Sequence, residues 1–240
     1  MRKDLVQDNE LIRLNKFLSD AGVCSRREAD RLVEKGLVYV DGVKAVLGQK
    51  VSINQEIICE GKKVSREEEL ILLAFNKPRG IICSTSDEQG ISVVKYINYP
   101  KRIYPIGRLD KDSEGLLLLT NDGDISDRIL RSRNNHEKEY IVTVNKNIDE
   151  TFIKNMSNGV PILDTVTKKC MVEKIDDNTF RIILTQGLNR QIRRMCDYFG
   201  YKVTKLKRIR ILNIKLGNLK KGGYRALNLD EIQKLKSLLD

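Results

Sequence analysis

The sequence predicts an α+β protein in two parts. A small N-terminal helix–helix–hairpin module comes first, followed by a larger domain with a mixed, mainly antiparallel sheet flanked by helices. Three observations lead there. Short apolar groups recur at helical and at strand spacing along the 240 residues. Helices and strands succeed one another without the strict alternation that builds a parallel sheet. A charged stretch with a single large apolar residue, GKKVSREEE at 61–69, interrupts the pattern. The domains are therefore expected over 11–60 and 70–240, with 61–69 as the linker.

In the first part, Leu11, Leu14 and Leu18 mark one helical stripe, and Ala29, Leu32 and Val33 mark another. Ser25 and Glu28 have the spacing of a capping box, in which a side chain satisfies an otherwise unpaired amide, and Gly36 suits a C-terminal cap. The second helix is thus expected from Ser25 to Lys35. Beyond it Val38 and Val40 alternate with Leu37 and Tyr39, and Asp41-Gly42 is a two-residue hairpin turn, because both central positions need positive φ.

In the larger part, LILLAFNKPRGIICST reads as a buried strand entering a Pro-Gly turn, and RIYPIGRLD as a second extended segment. EYIVTVN and TFRIILTQG read as further strands. Helical patterns fall at about 124–131, 150–158, 190–199 and 230–238.

Composition narrows the function. Forty-four Lys and Arg against 33 Asp and Glu leave a net charge of +11 and a pI near 9.4, which favours a polyanionic partner, nucleic acid foremost. The apolar runs are far shorter than the roughly 20 residues that cross a bilayer. No apolar h-region follows the basic N-terminus, so no membrane association is expected and the cytosol is the default. Cys24, Cys59, Cys83, Cys170 and Cys196 are odd in number and widely spaced, which argues for reduced thiols rather than disulfides or a CxxC metal site. His136 is the single histidine, so a two-histidine zinc site is impossible. Neither a P-loop nor a dinucleotide-binding glycine fingerprint is present.

What remains is carboxylate and arginine chemistry. Within GRLDKDSEGLLLLTNDG, Asp110 ends an extended run just before a polar turn and an apolar strand. It is either a turn residue or a carboxylate facing a cleft. In QGLNRQIRRMCDYFG, Ile192, Met195, Cys196 and Phe199 define the buried face of a helix, and Arg193 and Arg194 flank it about 100° apart. One can therefore turn inward while the other meets solvent or phosphate. A guanidinium cannot act as a base, but it can hold a carboxylate ionised and in place. Tyr140 opens a strand after a charged turn and is either a half-buried strand residue or a stacking platform for a base. Arg13, Lys16, Arg26, Arg27 and Arg31 form either a phosphate-reading face or a solvated helix surface.

Taken together, GRLDKDSEGLLLLTNDG, the KEY tripeptide ending at Tyr140, LNRQIRRMC, NKPRG and LNKFLSDAGVCSRREADRLVEKG resemble a known family. It is the bacterial ribosomal RNA pseudouridine synthases that carry an N-terminal domain like that of ribosomal protein S4. NNHEKEYIVTV, GVPILDTVTKKC and QGLNRQIRRMCDYFGYKVTKLKRIRI are most similar to a large-subunit branch of it. The resemblance implies an S4-like (αL) RNA-binding domain ahead of a pseudouridine synthase domain, working without metal or cofactor. It implies Asp110 as the catalytic aspartate, Tyr140 against the target base and Arg193 as the ion-pair partner of Asp110. Arg108 would fill the space of the extruded base, and Arg194 and the basic residues of the small domain would meet RNA. The implied partner is 23S ribosomal RNA, in domain V near the peptidyl-transferase region and in the subunit or an assembly intermediate. Transfer RNA is the alternative partner, and the chain is expected to be monomeric.

Two other classes compete. A non-catalytic RNA-binding assembly protein would explain the charge, but it has no need of Asp110, Tyr140 and Arg193 in combination. A nuclease would need clustered metal-binding carboxylates, and Asp110, Asp112 and Glu114 alternate in a way that imitates such a cluster; magnesium dependence separates the two.

Overall fold

In the computed structural model, which describes residues 11–65, 69–84, 90–130 and 135–239, buried apolar side chains collect within each of two units. Among the described residues, the first unit is residues 11–65 and 69–71 together with Tyr99–Ile103 and Asn121–Gly123. The second is Leu72–Asn98, Tyr104–Thr120 and the chain from Asp124.

The first unit comprises β1 (Ile12–Arg13), α1 (Leu14–Asp20), α2 (Arg26–Glu34), β2 (Val38–Val40), β3 (Val43–Lys44), β4 (Lys50–Val51), β5 (Ile57–Cys59) and β6 (Lys62–Lys63). Leu14, Phe17 and Leu18 of α1 and Ala29, Leu32 and Val33 of α2 are buried together with Val38, Val40, Ile57 and Cys59. Leu11, expected on the first helical stripe, instead precedes β1 and is exposed, because the chain is still extended there. Ser25 caps α2 by accepting a hydrogen bond from the Glu28 amide at 3.2 Å. Asp41 (φ +50°) and Gly42 (φ +80°) make the β2–β3 turn in the left-handed conformation.

The strands pair in the order β3-β2-β5-β6, with β1 on β4. Lys62–Lys63, the start of the stretch expected as a linker, is thus the edge strand of this sheet, while 66–68 lie outside the described residues. The chain returns to this unit twice. Asn121 accepts from the Ile71 amide at 2.9 Å and donates to the Glu69 carbonyl at 2.8 Å. Arg102 donates to the Ser19 carbonyl at 3.2 Å. Such long-range returns leave no mark in local periodicity.

The second unit comprises β7 (Leu72–Lys77), α3 (Val93–Ile97), β8 (Tyr104–Ile106), β9 (Glu114–Thr120), α4 (Gly123–Leu130), β10 (Lys138–Val144), α5 (Glu150–Ser157), β11 (Pro161–Ile162) and β12 (Thr165–Val166). It continues with β13 (Met171–Asp176), β14 (Thr179–Leu184), α6 (Gln191–Tyr198), β15 (Val203–Ile211), β16 (Ile214–Lys215), β17 (Tyr224–Ala226) and α7 (Leu229–Leu239). The helix expected at 124–131 is α4; its expected last residue, 131, lies outside the described residues. Helix α3 spans only five residues, too few to show a period in the sequence.

One nine-stranded sheet organises the unit, in the order β13-β14-β10-β15-β9-β7-β17, with β8 on β9 and β16 on β15. Every pairing is antiparallel except β9 with β15. Helices α5 and α6 bury Phe152, Met156, Ile192, Met195 and Cys196 against Val142, Phe180 and Ile182 of the sheet.

Strand β9 positions the rest. All seven of its residues are buried, which explains a run of four leucines in place of alternation. Each leucine contributes about 1.5–3 kcal/mol of burial. One edge of β9 pairs with β7; the other is divided, with Glu114–Gly115 paired to β15 and Leu118–Thr120 paired to β8. At the division the buried Arg208 donates from Nε to the Leu116 carbonyl at 2.7 Å, so a side chain supplies what a ladder would have. Gly115 permits the parallel pairing. At φ +104°, a Cβ there would stand 2.3 Å from the Arg208 carbonyl oxygen.

Candidate active site

Asp110 stands on the loop that feeds β9. Its carbonyl accepts from the Ser113 amide at 3.0 Å, closing a four-residue turn, and the Lys111 carbonyl accepts from Gly80 at 2.7 Å. Leu109, buried, anchors the residue before it, and its amide donates to Cys83 Sγ at 3.2 Å. Both alternatives left open by the sequence therefore hold together: Asp110 makes the turn with its backbone, and its side chain stays one-third exposed.

Arg193 comes to this turn from α6. Although α6 is short, its apolar face is pinned by Ile192, Met195 and Cys196, so the residue between them is carried inward. The side chain is 91% buried and its guanidinium is fixed by three acceptors: the Asp112 carbonyl and Ser113 Oγ at 3.2 Å from Nη2, and the Val203 carbonyl at 3.3 Å from Nη1. Its Nε lies 3.9 Å from Asp110 Oδ2 and, buried, has no hydrogen-bond partner. Arg194, about 100° around the helix, is exposed and folds back on Asn189, donating from Nε to its carbonyl at 3.1 Å.

Asp110 and Asp112 are both carboxylates beside arginines, yet they differ. Asp112 supplies its carbonyl to Arg193, and its Oδ2 accepts from Arg190 Nη2 at 3.4 Å. Burial works against ionisation of Asp112, but the Arg190 hydrogen bond, its own backbone amide and the charges of Arg193 and Arg190 outweigh it, and its pKa lies below the ordinary aspartate value. The arginine contacts of Asp110 are ion pairs at 3.7 and 3.9 Å, longer than hydrogen bonds. Its oxygens therefore keep lone pairs for an incoming group. Glu114, the third carboxylate of the alternating set, begins β9 instead of ending the turn. It takes Lys221 Nζ at 2.7 Å and Lys205 Nζ at 3.9 Å. No metal-holding group of three or more His, Cys, Asp or Glu occurs among the described residues.

Beneath the turn lies Lys77, the last residue of β7 and fully buried. Its Nζ donates to the Ser113 carbonyl at 2.9 Å and the Pro78 carbonyl at 3.0 Å. Burial pushes its pKa below the ordinary lysine value, against the opposing pull of Cys83, Asp110 and Asp112. Lys77, Ser113 and Arg190 were not singled out as site residues by sequence reasoning. The first two read as the end of an apolar strand and a turn filler; only the short NKPRG motif hinted at Lys77.

Tyr140 is placed by the sheet. It lies opposite Arg208 on β15, which lies opposite Gly115 on β9, so a register row runs from Tyr140 to the strand that Asp110 feeds. The ring is half-buried against the apolar cluster of β10, β14 and α6. Its neighbour Glu139 is buried and takes Arg210 Nε at 2.6 Å and Arg181 Nη1 at 3.2 Å. His136 is buried too, with Nδ1 3.0 Å from the Ile129 carbonyl.

Arg108 is exposed two residues before Asp110, after Gly107. In the first unit Arg13, Arg26, Arg27 and Arg31 are exposed, and Lys16 is half-buried. Arg31 reaches Glu28 at 3.1 Å and Lys16 reaches Asp20 at 3.5 Å.

Comparison with known proteins agrees along most of the chain. Residues 71–198 match the family described as RNA pseudouridylate synthase, and residues 12–57 match the S4 domain. The chain is 52% identical to the dual-specificity RNA pseudouridine synthase RluF of Salmonella typhi, over 95% of this chain and 80% of that one. It is 37% identical to the ribosomal large subunit pseudouridine synthase B of Bacillus subtilis, over 95% of this chain and 97% of that one. A crystal structure of a pseudouridylate synthase superimposes with a TM-score of 0.69 at 30% identity, covering 93% of this chain and 99% of that one.

Proposed function

Because the chain belongs to the RNA pseudouridylate synthase family, it is an enzyme that isomerises uridine in RNA, and we propose that Asp110 is its reacting carboxylate and 23S ribosomal RNA its substrate. The reading rests on one observation: a one-third exposed carboxylate held by long ion pairs, with lone pairs still available, beside a buried guanidinium locked by three acceptors.

The reaction breaks the C1′–N1 bond of uridine, turns the uracil and joins C1′ to C5. N1 gains a proton and C5 loses one, so atoms balance and nothing is oxidised. The base must leave its stack, at a cost of a few kcal/mol, before a side chain can reach it. Arg108, exposed two residues before Asp110, is placed by the chain to enter the vacated space. Asp110 then attacks C1′, adds to C6 or removes the 2′ proton. Each route needs an ionised carboxylate in a site from which the bound RNA excludes water, and Arg193 places a positive charge 3.9 Å from Asp110 Oδ2. Tyr140 presents its ring to the uracil and stands as the group that assists deprotonation at C5. Arg13, Lys16, Arg26, Arg27, Arg31 and Arg194 hold phosphates without reading bases.

The name of the Bacillus subtilis relative supports a large-subunit RNA target, within which domain V near the peptidyl-transferase region is our proposed site. The dual specificity named for the Salmonella typhi relative supports a second RNA, for which transfer RNA is the candidate. Pseudouridine mapping by chemical adduct and primer extension, in 23S ribosomal and transfer RNA from cells with and without this protein, tests both. A position lost with the protein, restored by it and not by Asp110→Asn, is the expected result. Restoration by Asp110→Asn rejects the role of Asp110, and unchanged maps reject the targets.

A further inference from the structure

Arg190 is a residue of the site with no task in the proposed isomerisation. Its backbone is left-handed, with φ +51°, at the N-terminal boundary of α6, so the root of the side chain is held by an unusual conformation and the turn closed by Leu188 and Gln191. Its side chain is 41% exposed and its guanidinium reaches two carboxylates at once, Asp110 Oδ2 at 3.7 Å and Asp112 Oδ2 at 3.4 Å. Arg194, four residues on, gives Nε and Nη2 to Asn189 at 3.1 and 3.3 Å and leaves its remaining donors exposed. Arg190 holds the looser contacts of the two.

Asp110 Oδ2 is thus contested. Arg190 approaches it from the exposed side, and Arg193 Nε approaches it at 3.9 Å from the buried side. Arg193 is anchored by three acceptors, so any closure of this pair requires the carboxylate to move. The buried Nε without a hydrogen-bond partner is what such a movement would satisfy.

We infer that Arg190 is an RNA-responsive positioning residue: without RNA it restrains Asp110 and Asp112, and with RNA bound its guanidinium transfers to a backbone phosphate, releasing Asp110 to close on Arg193 Nε. Exposed ion pairs of this length contribute little and exchange readily. A phosphodiester offers the planar fork a matching acceptor, and neutralising it releases counterions. The inference rests on Asp110 being the reacting carboxylate.

The test uses the full chain and a 23S ribosomal RNA transcript. Arg190→Gln is expected to weaken RNA binding about tenfold and to lower the slope of log affinity against log salt by about one. Arg190→Lys is expected to restore the slope, since an ammonium still neutralises one phosphate. Asp112→Asn removes a competitor for Arg190 and is expected to tighten binding several-fold in the native background but not beside Arg190→Gln. An unchanged slope in Arg190→Gln, or a tightening by Asp112→Asn that persists beside it, overturns the inference. Turnover by Asp110→Asn rejects the catalytic reading instead and leaves the binding slopes interpretable on their own.

Discussion

The arginines of the small module and those of the larger domain are the same residue in opposite circumstances. Arg13, Arg26 and Arg27 are exposed, and Arg31 pairs with Glu28 one helical turn away at 3.1 Å. Arg193 and Arg208 are buried, at 8% and 4% exposure, and bond to backbone carbonyls, Asp112 and Val203 for the one and Leu116 for the other. The first set can be spent on any polyanion that approaches. The second set is already part of the framework, because a guanidinium withdrawn from water is strongly unfavourable unless its donors are met. Positive charge in this chain therefore has two meanings, and net charge alone does not separate them.

The contrast breaks most sharply at Arg193. Arg193→Met should lower single-turnover isomerisation by at least about a hundredfold and destabilise the fold by about 3–5 kcal/mol, since it strands the Asp112 and Val203 carbonyls and removes the buried partner of Asp110. Native turnover in a stably folded variant would place Arg193 with the surface set. On the other side, reversing Arg26 and Arg27 to Glu should cost about tenfold or more in RNA affinity and flatten its salt dependence, while stability measured by denaturant stays within about 0.5 kcal/mol. A loss of stability comparable to that of Arg193→Met would erase the distinction.

Acid acts on the buried framework through its carboxylates. Burial opposes ionisation of Glu139, but hydrogen bonds from Arg210 and Arg181 outweigh it and hold the carboxyl below the ordinary glutamate value. A depressed pKa contributes stability that is complete above the unfolded-state value and is lost as pH falls through the folded-state one. Native protein should therefore lose stability as pH drops below the ordinary glutamate range, and Glu139→Gln should show a shallower loss over that window in pH-dependent denaturation. Matching slopes would remove Glu139 from the framework. The smallest effect is expected at Arg31→Gln. Its exposed pair with Glu28 is worth about 0.3–0.5 kcal/mol, read as a slight fall in melting temperature.

Much of this was legible in the residues themselves. Apolar spacing and turn chemistry located α2, α5, α6 and α7, the Asp41-Gly42 turn and strands β7, β8, β9, β10 and β14, because both act over a few neighbours, whereas β13 and the central β15 are not read from the sequence. Spacing also put Arg193 and Arg194 about 100° apart beside the buried face of α6, so that one could turn inward. The fold decided that it is Arg193, with Arg194 left exposed. Local signals could not show that Glu114 leaves the carboxylate series for Lys221, that Lys77 ends under Ser113, or that Leu11 lies outside its helix.

What the sequence determined by itself is the family, the charge and the kinds of group available, since each follows from residue identity and short-range order. Tertiary structure alone decided which carboxylate keeps free lone pairs. Asp110 and Asp112 are two residues apart in the same polar turn. They part because Arg190, some eighty residues further along the chain, gives a hydrogen bond to Asp112 Oδ2 at 3.4 Å and meets Asp110 only as an ion pair at 3.7 Å, while Arg193 spends its hydrogen bonds on the Asp112 and Val203 carbonyls and Ser113 and reaches Asp110 Oδ2 only at 3.9 Å.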